Sequence, residues 1–322
     1  MIHVEPKDMK VPEIHQYLLG GVAPRPIALV STITKNGHVN LSPFSFFNAF
    51  SANPPIVVFS PSRRGRDGTT KDTYNNLSET RECVVQAVTY EMVQQVSLAS
   101  TEYPPETDEF RKSGLTPVPS DIVRPPRVKE SPFQMECILK QMLPLGDRPA
   151  AGNLAICEVV KFHVAEDIVV DGVIEPNRID LVGRNGADYY TRAQGEAIFS
   201  VAKPIGRQGV GFDNLPAHTI ASRQLTANNL AQLANSETIP GEAEVRSFIE
   251  SQDRHDGGRA AFRRFLRLGD YRSMLQTALA EISDDSSTAA VMLEAAAARA
   301  LDSGDTDFAW NVLMYIPLLE KR

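Results

Sequence analysis

The stretch VNLSPFSFFNAFSANPP, from Val39 to Pro55, interleaves phenylalanines with hydroxyl and amide side chains. The aromatic residues are Phe44, Phe46, Phe47 and Phe50, and the polar ones are Ser42, Ser45, Asn48 and Ser51. A buried strand would be more uniformly apolar, and a solvated loop would not carry four phenylalanines. A ligand that joins a flat ring to a polar tail would use both kinds of side chain, so this stretch is the first candidate for a binding site.

The composition is that of an ordinary globular protein, long enough for two domains. Of 322 residues, 42% are hydrophobic and 23% are charged, and the formal net charge is −7. Nucleic acids and anionic membranes bind mainly to clustered lysine and arginine, so the acidic balance argues against both as main partners. The start MIHVEPKDMKVPEI has no signal pattern, and no later run approaches the ~20 apolar residues of a membrane helix. We expect a cytoplasmic protein.

Short apolar runs separated by Gly, Pro, Asn and Asp predict a β-rich domain from Pro26 to Val201. The predicted strands are IALVST, PPIVVFS, ECVVQAV, QMECILKQML, AICEVVKFHV and RIDLV, and their uneven spacing suggests a barrel. Helical spacing predicts two helices between them, KDTYNNLSET and EMVQQVSLAS. The proline-rich segment from Thr101 to Pro126 is interpreted as a surface excursion, which covers a site, reaches a partner subunit or merely connects two strands.

The composition changes after Lys203, where glycine-rich KPIGRQGVGFDN precedes a region dominated by Ala, Leu, Glu and Arg. We therefore expect two domains, at residues 1–203 and 204–322. The predicted helices of the second are TANNLAQLANS, capped by Thr226, EAEVRSFIES, RAAFRRFLRL, YRSMLQTALAEI, TAAVMLEAAAARAL and DFAWNVLMYIPLLE. They would form a helical bundle or an array of helix pairs. Gly269-Asp270 and Gly304-Asp305 lie 35 residues apart, and we interpret them as two separate helix-start signals rather than as a repeat.

The segment SPSRRGRDGTTKDTYNNL, from Ser60 to Leu77, places arginines, glycines and hydroxyls ahead of a predicted helix. A helix N-terminus offers unpaired N–H groups and the positive end of the helix dipole, and Lys71 adds a full charge. This pattern fits a phosphate site that lacks a Walker motif. It fits a capped helix after a charged turn as well, and spacing alone does not separate the two.

Metal, thiol and nucleophile chemistry have little support in the sequence. The histidines, which are His3, His15, His38, His163, His218 and His255, form no i, i+4 pair. Cys83, Cys137 and Cys157 are far apart and form no C-x-x-C pair, so we expect buried structural thiols and no metal site. There is no G-x-S-x-G motif, and the glycines between residues 206 and 211 do not form a dinucleotide fingerprint.

Three blocks follow one another along the chain: APRPIALVST (Ala23 to Thr32), NLSPFSFFNAFSANPP (Asn40 to Pro55) and KDTYNNL (Lys71 to Leu77). DEFRKSGLTPVPS, PRVKESPFQMEC, GNLAICEVVKFHV and LVGRNGADYYTR continue the series. Together they resemble the signature blocks of the flavin reductase-like, FMN-binding split-barrel family, over about residues 10 to 203. The resemblance implies a Greek-key split β-barrel with a few helices, followed by an all-α C-terminal region of unknown role.

The resemblance further implies where FMN would bind. The matching cofactor-binding positions are Pro26, Ser31, Thr32, Asn40, Ser42, Pro43, Phe44 and Ser45. Lys71 and Thr73 would hold the phosphate, Ser60 would add a hydroxyl, and Asp72 would start the helix. Phe46 and Phe47 are interpreted as core residues. Arg184 with Tyr189 or Tyr190 matches a stretch near the flavin, and a surface turn would explain these residues equally well.

The function implied by the resemblance is an FMN-dependent oxidoreductase. It would move hydride or electrons from NAD(P)H through FMN to free flavin or a small acceptor, with the flavin N5, and no catalytic side chain, carrying the chemistry. A homodimer with the flavin near its interface is expected, as is a partner oxygenase or redox protein. The alternatives are a flavoredoxin-like electron carrier without nicotinamide oxidase activity, and a barrel scaffold whose helical region binds a partner.

Overall fold

The computed structural model describes residues 1–104, 107–283 and 285–319. The chain divides into two compact units, Met1–Ser200 and Val201–Arg322. Among the described residues, no helix has the length and apolar character needed to traverse a bilayer.

The first unit is built around one large antiparallel sheet. The strands in chain order are β1 (Ala28–Ile33), β2 (Val39–Phe44), β3 (Phe47–Ala52), β4 (Pro55–Phe59), β5 (Glu82–Ala87), β6 (Pro117–Val118), β7 (Arg127–Val128), β8 (Phe133–Pro144), β9 (Asn153–Val164), β10 (Val169–Val170), β11 (Val173–Ile174), β12 (Val182–Arg184) and β13 (Tyr190–Arg192). The seven-stranded sheet has the order β2-β1-β5-β8-β9-β4-β3, and β6–β7, β10–β11 and β12–β13 form two-stranded ribbons.

The connection from β2 to β3 shows that this sheet is curled into a barrel. The two strands lie at opposite edges of the sheet, although only Ser45 and Phe46 separate them in sequence. In a flat seven-stranded sheet the edge strands would lie roughly 29 Å apart. The link spans at most roughly 11 Å, so the sheet curls until its edges meet. This open seam between β2 and β3 confirms the split barrel expected from the sequence.

The stretch from Val39 to Pro55 therefore supplies both strands of the seam. Successive side chains of a strand point to opposite faces of the sheet, so the two strands carry both buried and exposed side chains. Phe44 is buried, but Phe46 is 39% exposed and Phe50 is 68% exposed. The interpretation of Phe46 as a core residue is wrong, whereas Phe47 packs against the barrel core as expected.

Five of the predicted strands coincide with β1, β4, β5, β8 and β9. The prediction of a strand at RIDLV is wrong. A short helix ends at Ile179, and Asp180 has a left-handed φ of 49° before β12 begins at Val182. Ile179 and Val182 are both buried, so their apolar character reflects burial in the core and not strand pairing.

The side chains of β1 alternate between two apolar clusters, as a pleated strand requires. Ala28 and Val30 face the barrel interior, where all three cysteines are buried as expected, and the Sγ atoms of Cys83 and Cys157 are 4.0 Å apart. Leu29 faces a second cluster that covers the outside of the sheet.

The described residues of the first unit form five α-helices: α1 (Val11–Gly21), α2 (Asp72–Thr80), α3 (Val93–Leu98), α4 (Glu109–Ser113) and α5 (Pro176–Ile179). The two predicted helices correspond to α2 and α3. The segment from Thr101 to Pro126 is more than a surface excursion, because Phe110 and Leu115 are buried in the cluster outside the sheet. Residues 105 and 106 of this segment lie outside the described residues.

The second unit is all-α, and its helices are α6 (Ala217–Ile220), α7 (Ala227–Ala234), α8 (Glu242–Glu250), α9 (Gly258–Leu268), α10 (Tyr271–Glu281), α11 (Ser286–Asp302) and α12 (Thr306–Leu319). The six predicted helices correspond to α7 through α12, and only the end of the last one lies outside the described residues. Thr226 caps α7 by accepting a hydrogen bond from the Asn229 N–H at 3.2 Å. Helix α12 packs against both α8 and α11, which makes the unit a bundle.

Both Gly-Asp pairs join one helix to the next. Gly269 ends α9 with a φ of 71°, and Asp270 then caps α10 by accepting from the Ser273 N–H at 3.1 Å. Asp305 follows Gly304 and accepts from the Phe308 N–H at 3.2 Å. Each pair is a left-handed stop followed by an acidic cap, in agreement with two separate helix-start signals.

Candidate functional site

Two adjoining cavities in the first unit are lined by many of the predicted site residues. The large cavity, about 650 Å³, is lined by Ile27, Pro43, Ser45, Tyr90, Val93, Gln94, Val96, Ser97, Ser100, Val182, Arg184, Asp188, Tyr190 and Arg192. The small pocket, about 40 Å³, is lined by Asn40, Leu41, Ser42, Arg64, Lys71, Asp72, Thr73, Ala99, Ser100, Thr101, Glu102, Tyr103 and Glu109. Ser100 lines both, and Ser42 of one adjoins Pro43 of the other.

Strand β2 meets the start of α2 along one side of the small pocket. Asn40, Ser42 and Phe44 alternate along the strand, so they share one face. The Asn40 Oδ1 accepts a hydrogen bond from the Thr73 hydroxyl at 2.9 Å, and the Lys71 Nζ lies 5.4 Å from the centre of the Phe44 ring. The strand and the helix start that sequence patterns indicated separately therefore form one pocket wall.

Lys71 is the N-cap residue of α2, and its side chain makes no cap hydrogen bond to the N–H groups of the first turn. Its side chain is half-buried, and within the described ranges its ammonium donates no hydrogen bond and makes no ion pair within 4.0 Å. Burial lowers the pKa of Lys71, Arg64 lowers it further, and Glu102 opposes both effects. Uncapped N–H groups and an unpaired cation at one helix start are the donors that an anion requires.

Ser31 and Thr32 of β1 lie behind this wall, fully buried. The Ser31 hydroxyl donates to the carbonyl oxygen of Pro126, and the Thr32 hydroxyl accepts from the Asn76 amide at 3.1 Å. Both hydroxyls thus hold neighbouring elements in place, and neither lines the two cavities.

Three other predicted residues also lie outside the two cavities. The Ser60 hydroxyl accepts from the Asn153 N–H at 3.2 Å, which ties β4 to β9. Phe44 is a core residue whose ring lies 5.4 Å from that of Phe59. Pro26 lines a separate apolar cavity of about 740 Å³.

The walls also include residues that the sequence reasoning missed. Glu109, at the start of α4, is buried and accepts the Leu41 N–H at 3.1 Å. Burial raises the pKa of Glu109, and the hydrogen bond from Leu41 opposes this. Glu102 lies on the loop between α3 and α4, and its carboxylate is 3.3 Å from Arg66 and 3.9 Å from Arg64. The acidic residues of the segment that starts at Thr101 were the feature of the sequence that could have indicated these two carboxylates.

The ribbon β12–β13 closes the far side of the large cavity. The Arg184 guanidinium lies 4.6 Å from the Tyr190 ring centre, and the Arg192 guanidinium lies 3.9 Å from that of Tyr90. Tyr190 thus lines the cavity, whereas Tyr189 is 74% exposed and does not.

A buried arginine positions this ribbon. Arg25 donates to the carbonyl oxygens of Leu19 at 2.7 Å and Asn185 at 3.0 Å, and its backbone pairs with that of Arg184. Burial lowers the pKa of Arg25, and the nearby charge of Arg184 adds to the effect. Gly183 allows the close approach, because a Cβ there would lie 2.7 Å from Pro24.

The apolar cavity adjoins the large cavity, since Ile27 and Val182 line both. Its walls include Phe47, Phe133 and Phe162, and Phe162 is 51% exposed. On the same face of β9, Val160 and Val164 are each more than a third exposed. This row is an apolar patch of the kind that a partner covers.

Residues 20–174 match the family model described as the flavin reductase like domain. A protein of Aquifex aeolicus is 39% identical over 190 residues, which make up 58% of this chain and 94% of the relative. The chain belongs to the flavin reductase-like family. A protein of Halalkalibacterium halodurans is also 39% identical, over 62% of this chain and 96% of its own length.

Solved structures agree with this membership. Nitrilotriacetate monooxygenase component B from Bacillus cereus is 33% identical, with a TM-score of 0.59 over 62% of this chain and 98% of its own. The 2-nitrobenzoate 2-nitroreductase of Pseudomonas fluorescens shares the fold at 23% identity, with a TM-score of 0.56 over 67% of this chain and 99% of its own. The match to the family model ends at residue 174, before the helical unit begins.

Proposed function

We propose that this flavin reductase-like protein is an FMN-dependent oxidoreductase. It would move hydride or electrons from NAD(P)H through FMN to free flavin or a small acceptor. The observation that carries the proposal is the half-buried ammonium of Lys71, which is unpaired among the described residues and lies at an uncapped helix start, in a small pocket that adjoins a large cavity.

The residues present fit FMN. Lys71, the first N–H groups of α2 and the Asn40–Thr73 pair would hold the terminal phosphate, and Ser42 would follow along the polar chain. The large cavity is within the usual size range for small-molecule sites, and Pro43 and Ser45 lie on its wall.

The predicted residues that do not line the two cavities would act indirectly. Ser31 and Thr32 would hold β1 against its neighbours, Phe44 would support Lys71 from the core, and Ser60 would fix β4. When bound, FMN would supply reversible acceptance of a hydride or of electrons. The chain's own part is to bind, orient and shield the ring, which requires no acid–base pair.

The absorption spectrum tests this proposal directly. Purified protein supplied with FMN should show flavin bands that bleach when NADH or NADPH is added without oxygen, and heat should release FMN. Release of haem, or no flavin binding at high added FMN, would contradict the assignment. Flavin bands that no nicotinamide bleaches would favour an electron carrier over a reductase.

A partner oxygenase is a second proposal for the electron acceptor. The printed name of the Bacillus cereus structure, component B of a monooxygenase, supports it at 33% identity. Steady-state NADH and NADPH oxidation, with and without added flavin, separates electron transfer to a diffusing flavin from electron transfer to a partner protein. Oxidation that rises with free flavin indicates a diffusing acceptor, and oxidation that rises only with a second protein indicates a partner.

We also propose a homodimer formed through the apolar cavity, because the exposed row at Val160, Phe162 and Val164 would be covered there. Light scattering after size exclusion should give twice the chain mass of 35.4 kDa. Phe162→Glu should give monomers. Phe199→Glu, at a 79% exposed phenylalanine outside the three cavities described, is the matched control and should leave the dimer intact. A wild-type monomer at all concentrations would contradict the proposal.

A further inference from the structure

The small pocket carries more negative charge than a phosphate site should. Arg64 and Lys71 line it, but so do the carboxyl groups of Asp72, Glu102 and Glu109. A phosphate monoester brings a charge of about −1.5 to −2 at pH 7. With the carboxylates fixed in place, the bound phosphate would face like charges, so at least one acid must give way.

Two of the three acids are held in place by the fold. Glu109 is buried at the start of α4, and its Oε2 accepts the Leu41 N–H at 3.1 Å. Asp72 is the first residue of α2 and lies 3.6 Å from the Arg64 guanidinium. Moving either would disturb a helix start.

Glu102 is less constrained by secondary structure than the other two acids. It lies outside any helix or strand, and its side chain is 54% exposed. In the described part of the chain, the partners of its carboxylate are the guanidinium groups of Arg64 at 3.9 Å and Arg66 at 3.3 Å. No backbone N–H of the described residues donates to it. Its charge also favours the protonated form of Lys71, as a bound phosphate would.

We propose that the Glu102 carboxylate is an internal competitor of the flavin phosphate for the cationic cluster of Arg64, Arg66 and Lys71. The inference rests on the proposed FMN site. In the free protein, Glu102 offsets part of the charge of the cluster and lines the small pocket, whose volume is about 40 Å³. Phosphate binding displaces the carboxylate, and flavin release lets it return. Glu102 thereby weakens flavin retention, which suits a flavin that exchanges between turnovers rather than one that stays bound.

Replacing Glu102 by glutamine tests this inference, because glutamine keeps the size of the side chain and removes the charge. Glu102→Gln should bind FMN about two- to fivefold more tightly at low ionic strength, the range expected for one partly exposed ion pair. Riboflavin affinity should not change, since riboflavin has no phosphate. The gain should shrink at high salt, where exposed charges are screened.

Glu158→Gln is the matched control, because it removes one acid and one surface ion pair, to Lys140 at 2.7 Å, outside the small pocket. It should leave both flavin affinities unchanged, and apo unfolding temperatures should agree among the three proteins. If the wild type prefers FMN to riboflavin but Glu102→Gln binds FMN equally or more weakly, the inference is overturned and the FMN site stands. If the wild type binds neither flavin, or both equally, the phosphate site itself fails.

Discussion

Lys71 and Thr73 lie two residues apart, yet their side chains are engaged very differently. The Thr73 hydroxyl is buried and donates to Asn40, whereas the Lys71 ammonium has no hydrogen-bond partner in the described residues. A hydroxyl already paired with an amide gains little from a new acceptor, but an unpaired ammonium gains a charge-assisted bond. Lys71 is therefore the residue at which the phosphate site is tested most directly.

Changing Lys71 to Ala should weaken FMN binding about ten- to a hundredfold and leave riboflavin nearly unaffected. The physical reason is the loss of one charge-assisted hydrogen bond, ~1.5 to 3 kcal/mol, at ~1.4 kcal/mol per decade of affinity. Fluorescence titration with both flavins measures the effect. Lys35→Ala, in the exposed turn between β1 and β2, removes the same charge elsewhere and should change neither affinity. Equal losses for both flavins, with apo stability intact, would show that Lys71 shapes the ring cavity instead.

Strand β8 fixes the last part of the proline-rich segment through one carboxylate. Glu136 is fully buried and accepts hydrogen bonds from the N–H groups of Asp121, Ile122 and Val123 and from the His163 Nε2. Burial opposes ionisation, but these hydrogen bonds outweigh it and lower the pKa of Glu136 to about 2. The loop at residues 121–123 is thus held by a charged group on the sheet.

Glu136→Gln should destabilise the protein by about 2 to 4 kcal/mol at neutral pH, because an amide cannot satisfy the donors that face a carboxylate. Since folding lowers the pKa of Glu136 from 4.5, its contribution is present above about pH 4.5 and is lost as the pH falls toward about 2. Urea unfolding of the wild type and of Glu136→Gln should therefore show a difference in the free energy of unfolding that narrows as the pH falls from about 4.5 toward about 2. Glu79→Gln, at an exposed residue near the end of α2, should show no such effect. If the difference in unfolding free energy did not change with pH, the Glu136 side chain would not be ionised in the folded protein.

The whole molecule consists of a barrel unit and a helical unit, each with its own apolar core. The residues that line the two adjoining cavities lie between Ile27 and Arg192, within the first unit. A protein made of residues 1–203 should therefore fold, dimerise and bind FMN with an affinity close to that of the full chain. Calorimetric titration measures the FMN affinity of the fragment, and light scattering measures whether it dimerises. A fragment that is folded but takes up no FMN would show that the helical unit helps to build the site.

Local patterns in the sequence determined much of this protein. Strand runs, the six helices of the second unit and the cap at Thr226 follow from periodicity and from hydrogen bonds within a few residues. The ordered blocks that resemble the flavin reductase-like family indicated the barrel and the residues of the β2 and α2 pocket wall.

Only the tertiary structure decided which residues meet around the cavities. The seam depends on closure of a sheet whose edge strands are neighbours in sequence, and the walls bring Arg64, Glu102 and Glu109 to Lys71 from separate loops and helices. The tertiary structure also placed Ser60 and Pro26 outside the two adjoining cavities, although Pro26 belongs to a block that resembles the family and Ser60 begins the segment that fits a phosphate site. Local propensity acts over a few residues, whereas the charge balance of a pocket is set by chain segments that come together only when the barrel closes.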